Sequence, residues 1–142
     1  MKATLIVRWL LLATFFAGCS QTTPPMPATP SVAPVLATDR TVLGQPITYP
    51  AANAMVTAVI VTLPPGAETG WHRHAVPLFG FMLEGELTVA YEGAGEHVYR
   101  PGEALMEAIV TPHNGHNRGD TDVRILALFV GAKGLPNSEK VE

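Results

Sequence analysis

Short apolar runs rich in β-branched residues, cut by glycine and proline at fairly regular spacing, leave this chain little choice but strands. No window of adequate length repeats its apolar residues with helical periodicity. Residues 45–50 read as a short opening strand. Residues 54–63 form a longer one, stopped by Pro64-Pro65-Gly66. Residues 71–74, 77–83 and 86–91 follow, with a turn at Glu84-Gly85. Residues 96–100 lie between turns at Gly93-Ala94-Gly95 and Pro101-Gly102. Residues 104–110 and 123–130 are long apolar strands separated by a polar loop over 114–122. Many short strands of this kind close into a sandwich or a barrel.

On that background three histidines stand out. His72 and His74 are two apart, and His113 follows in Thr111-Pro112-His113-Asn114-Gly115-His116-Asn117. Alternate side chains of a strand share a face, so His72 and His74 project together. An imidazole from a neighbouring strand would complete a facial set of nitrogen ligands for a divalent metal. Imidazole suits zinc, copper, iron and nickel. The competing reading is a polar strand rim with hydrogen-bonded histidines. The flanking glycines, Gly66 before the pair and Gly85 after it, favour the metal.

Here the chain resembles the cupin superfamily. Its first motif runs glycine, five residues, His-x-His, three or four residues, glutamate, six residues, glycine, and Gly66, His72, His74 and Gly85 fit it. Its second motif runs glycine, five residues, Pro-x-Gly, two residues, histidine, three residues, asparagine, and Gly102, His113 and Asn117 fit it. The resemblance spans about residues 45–132. It implies a single-domain, all-β jelly-roll barrel and a metal site made by His72, His74 and His113. The metal would be iron, zinc, manganese, nickel or copper. Two positions depart from the pattern. Leu78 stands at the glutamate position and cannot ligate. Ala108-Ile109-Val110 replaces Pro-x-Gly.

Glu107 is the alternative carboxylate, since an acid in an apolar run is costly unless paired or metal-bound. It is a candidate fourth ligand or partner of the site, with an outward residue or a partner for an arginine as the other reading. His116 is expected near the rim and Asn117 in loop geometry, either one standing beside the ligands. Strand parity turns Leu78 and Gly80 inward. Met82, Met106 and Phe129 join them as candidate pocket lining, with simple core packing as the other reading.

The ends have separate roles. Lys2 and Arg8 precede an apolar stretch, Trp9 to Ala17, too short to span a bilayer. Phe16-Ala17-Gly18-Cys19 resembles a bacterial lipobox. Residues 1–18 are therefore expected as a lipoprotein signal and Cys19, the single cysteine, as the lipidated residue, with an ordinary secretory signal to the periplasm as the alternative. Ser20 after the cysteine resembles outer-membrane sorting. Residues 19–40, with Pro24, Pro25, Pro27, Pro30 and Pro34, read as an extended tether. Residues 41–132 form the domain, and 133–142 a polar tail, surface-bound or loose.

Nine basic and twelve acidic side chains give a net charge of −3, and loss of Lys2 and Arg8 takes it to −5. The basic residues form no stripe, which argues against nucleic acid as a partner. No phosphate-binding glycine loop or long internal repeat is present. The expected function is that of a metal-binding envelope lipoprotein. It would be a metal-dependent, dioxygenase-like enzyme acting on a small molecule, or a noncatalytic ligand-binding module tethered to the membrane. The resemblance also implies a homodimer. Fold alone does not choose among these.

Overall fold

The computed structural model describes residues 29–141. The expectations for the signal segment and for Cys19 fall outside the described residues. Residues 29–32 are exposed coil, and Ala33–Glu142 forms one compact unit. The described residues contain nine strands and no helix: β1 (Ala54–Leu63), β2 (His72–Arg73), β3 (Leu78–Glu84), β4 (Leu87–Tyr91), β5 (Gly95–Tyr99), β6 (Ala104–Met106), β7 (His113–His116), β8 (Val123–Ala132) and β9 (Glu139–Lys140). They make a four-stranded sheet in the order β1-β8-β3-β6 and a five-stranded sheet in the order β5-β4-β7-β2-β9. Every pairing between named strands is antiparallel.

The two inner faces enclose the core. Leu63 and Met82 from one sheet pack with Leu87, Val89 and Tyr91 from the other. Val76, Leu78, Ala127 and Phe129 form a second cluster beside it. Burying an aliphatic side chain of this size contributes roughly 1.5–3 kcal/mol. β1 and β8 pair without a bulge over ten residues, which fixes the inward parity of both strands. Gly85 makes the tight turn after β3. Its φ is 70°, and a Cβ there would lie 2.5 Å from the Asp122 carbonyl oxygen, so both conformation and space demand glycine.

Three expectations are corrected. Residues 45–50 form no strand beyond an isolated bridge from Pro46 to Arg40. Pro46 and Pro50 have no N–H for a ladder, and the Gln45 side chain pairs instead. Its amide donates to the Ile109 carbonyl at 2.7 Å, and its oxygen accepts the Ile109 N–H at 2.9 Å. The same clamp helps to end β6 at Met106, short of residue 110. Val110, at the position of the motif glycine, takes φ 57°. A left-handed β-branched residue is rare and strained. It turns the chain away from the sheet toward His113. Residues 113–116, expected in part as loop, form β7 between β4 and β2. The polar tail contributes β9 at the edge of that sheet.

Candidate metal centre

Strand parity and one turn assemble the three histidines. His72 lies in β2, opposite His113 in β7. His74 follows β2 and bridges Ile109. One ligand atom of each ring lies within 4.8 Å of the others. The ring centroids are 4.4–5.0 Å apart. His74 and His113 are buried, and His72 is half-buried.

Each ring is held by its Nδ1. The Nδ1–H of His72 donates to the Gly70 carbonyl at 2.8 Å, that of His74 to Asn137 at 2.9 Å, and that of His113 to Thr111 at 2.9 Å. A carbonyl only accepts, so these bonds set the tautomer and leave Nε2 with its lone pair. This is how metal-ligating imidazoles are generally oriented. The Nε2 of His113 is buried and has no hydrogen-bond partner. A polar atom so placed is destabilising unless something binds it. A divalent metal shared by three neutral imidazoles fits that orphaned atom and this donor set.

Burial keeps the imidazoles neutral. It lowers the proton affinity of His72 against the bond to Gly70, and that of His113 against the bond to Thr111. It takes His74 down to about 4 from 6.5, opposed by the bond to Asn137. The unfolded chain therefore takes up the His74 proton first as pH falls. The stability held by neutral His74 is complete above pH 6.5, declines between 6.5 and 4, and is gone below 4. For the metal-free domain that is about 3 kcal/mol between pH 7 and pH 4. Glu107, pushed up mainly by burial, acts in the opposite sense. The effect is therefore read by comparison with His74→Gln. Urea midpoints at pH 7 and pH 4 should fall further on acidification in the parent than in the variant.

A cavity of about 140 Å³ lies between the sheets against these rings. Val61, Leu78, Leu105, Ile125 and Phe129 line it from one sheet, Leu87 and Val89 from the other. Thr69, Glu107 and Ser138 are its polar groups besides the histidines. Leu78 and Gly80, turned inward by strand parity, and Phe129, a candidate for the lining, all lie against it. A Cβ on Gly80 would come 3.0 Å from Leu105 Cδ2, so the glycine also makes room for Leu105.

Met82 and Met106 do not line the cavity. Met82 is fully buried in the core cluster, farther along the same inward face. Met106 lies between Leu105 and Glu107, both of which line the cavity, so alternation turns it to the other face.

Glu107 lines the cavity but stands outside the three-histidine cluster. Its Oε1 accepts the Tyr91 hydroxyl at 2.8 Å and the Ala108 N–H at 2.7 Å. The Tyr91 oxygen is 3.1 Å from that of Tyr99. Burial raises the proton affinities of Glu107 and Tyr91, and that of Tyr99 to about 12. Neither tyrosine was singled out from the sequence. Tyr91 shares strand parity with Leu87 and Val89, and Tyr99 stands opposite Leu87, which was the available signal.

The remaining residues sit elsewhere. His116 Nδ1 is 3.2 Å from the Glu68 carboxylate, outside the cavity lining. Asn117 is buried and shapes its loop, donating to the Leu63 and Thr121 carbonyls and accepting the Gly119 N–H. His97 packs against Tyr91, ring centroids 5.4 Å apart, and not against the cluster. Arg118 and Arg124 are bonded to Glu96 and Glu84 on the exposed surface.

The family model described as Cupin domain matches residues 59–129. Among solved structures, the Lactobacillus farciminis oxalate decarboxylase formate complex aligns with 20% identity and a TM-score of 0.54, covering 61% of this chain and 26% of that one. The DMSP lyase DddQ from Ruegeria pomeroyi DSS-3 aligns with 23% identity and a TM-score of 0.54, covering 69% and 47%. The Bacillus subtilis oxalate decarboxylase with its Mn(II) centres gives 18%, 0.54, and coverage of 61% and 24%. The chain spans less than half the length of each, and the likeness is one of fold. No curated protein matches the chain.

Proposed function

The chain belongs to the cupin family, and we propose that it is a metal-dependent enzyme acting on a small molecule with a largely apolar body. The observation that carries this reading is the buried His113 Nε2, without a partner and facing two further imidazoles oriented through their Nδ1 atoms. Bound there, a divalent metal supplies a Lewis acid with coordination positions left open by only three protein ligands.

The chain's own groups provide the rest. The apolar wall takes the body of the substrate and excludes water. Among the described residues lining the cavity none is Lys or Arg, so a second anionic group on the substrate would meet no cation in the wall. Tyr91 and the Ala108 N–H occupy Oε1 of Glu107, so Oε2 is left to hold or release a proton toward the cavity. Glu107 then serves as general acid or base, a role worth roughly 10²–10⁴-fold in rate. Dioxygenase-like chemistry and metal-assisted bond cleavage can both draw on such a pair of metal and acid.

The test begins with metal analysis of the purified domain. Oxygen uptake and substrate consumption are then screened with the iron- and manganese-loaded forms. Glu107→Gln should keep one metal per chain and lose at least about a hundredfold in turnover. Tight metal with no turnover of any small molecule would make the domain a binding module.

We further propose that the domain is held at the cell envelope, facing the periplasm and favouring the outer membrane, through acylated Cys19. Several acyl chains on one residue give stable anchoring where a single chain does not. Cys19→Ala is expected to release the protein or block its processing. Equal membrane retention of that variant, with normal cleavage, would rule the anchor out.

A further inference from the structure

The tail beyond the matched domain supplies part of the histidine cluster's support. His74 Nδ1–H points to the Asn137 carbonyl at 2.9 Å, with Ser138 Oγ at 3.1 Å. Ser138 also lines the cavity. The segment carrying both residues is lightly held. β9 pairs only with β2, Val141 N–H donates to the Trp71 carbonyl at 3.1 Å, and Arg73 meets Glu139 at 3.0 Å in an exposed ion pair. Exposed pairs of this kind contribute at most about 1 kcal/mol. Leu135 is half-exposed, so little apolar burial fastens the segment.

We propose that residues 137–141 are a metal-linked strap: Asn137 and Ser138 are positioning residues for His74, and docking of β9 and occupancy of the histidine cluster favour each other. The inference rests on the metal reading above. Its physical basis is linkage. An outer hydrogen bond to a ligating imidazole commonly changes metal affinity by roughly 10–100-fold. If the docked strap tightens metal by that factor, metal must tighten the strap by the same factor. The strap sits at one edge of the five-stranded sheet and β5 at the other. β5 therefore serves as an internal reference for any general stabilisation.

Amide hydrogen exchange on the full chain, without metal and saturated with zinc, tests this. Zinc binding at one per chain should slow exchange of the Val141 amide and its β9 neighbours at least about tenfold, and leave β5 nearly unchanged. Val141→Pro removes the bond to Trp71 while keeping Asn137 and Ser138. It should weaken zinc binding by a comparable factor at unchanged stoichiometry. Zinc binding at one per chain with no added protection of β9, or with equal protection of β5, would overturn the strap and spare the metal site. An unchanged zinc affinity in Val141→Pro would also overturn it. Failure of zinc to bind at all would overturn both.

Discussion

Alanine at His72, His74 or His113 is expected to abolish stoichiometric binding of a divalent metal, while His97→Ala leaves it intact. A three-ligand site has no spare donor. Closed zinc sites reach apparent binding free energies of about 10–16 kcal/mol, so loss of one of three imidazoles removes several kcal/mol. His113 is the most telling position, because its Nε2 has no partner of its own. Its removal also removes an unsatisfied buried atom, so the metal-free protein should lose little beyond the packing of the ring and its Nδ1–H bond to the Thr111 carbonyl. His97 lies against Tyr91, on β5, and offers nothing to the cluster. Metal content after dialysis, with melts of each metal-free variant, separates lost ligation from lost folding. Full metal content in His113→Ala would remove the assignment of β7 to the site.

Leu78→Glu should produce the second large effect, with opposite signs in the two metal states. Leu78 is 8% exposed and lines the cavity. Its cross-strand partner Phe129 packs against His74, ring centroids 5.5 Å apart. A carboxylate at position 78 therefore enters the space beside the histidines. Without metal it is a buried, unpaired charge in place of a packed leucine, a cost of several kcal/mol, roughly. With metal it is an anionic ligand replacing water. Thermal melts with and without zinc should show a metal-free variant well below the parent, and a larger upward shift on adding metal. A variant that unfolds equally with and without metal would place Leu78 in the core, away from the ions' reach.

The sequence showed most plainly what periodicity and spacing control. β1 and β8 are long β-branched and apolar runs, β8 broken only by Arg124 near its start, and they emerge as the long uninterrupted ladder. The His72–His74 pair was legible because two-residue spacing on a strand sets parity, and Leu78 and Gly80 followed by the same rule. Several of the misses share a cause, local side-chain and backbone features that override the strand pattern. Gln45 pairs with Ile109 in place of a strand, and β6 stops at Met106 although apolarity alone extends the run to the left-handed Val110. The polar tail read only as surface-bound or loose, with nothing to mark that its Asn137 carbonyl orients His74. No composition signal marks a backbone acceptor. Met106 was misplaced because buried is not the same as facing the cavity, and one residue of parity separates it from Glu107.

Long-range ¹H–¹⁵N spectra of the histidine side chains during a zinc titration interrogate the centre itself. The expected result is that Nε2 of His72, His74 and His113 shifts in concert and saturates at one zinc per chain. Their Nδ1 atoms stay protonated, and His97 and His116 do not move. Zinc signals at His116 or His97 in place of the triplet, or no shift of the triplet at all, would contradict a metal centre in this cavity.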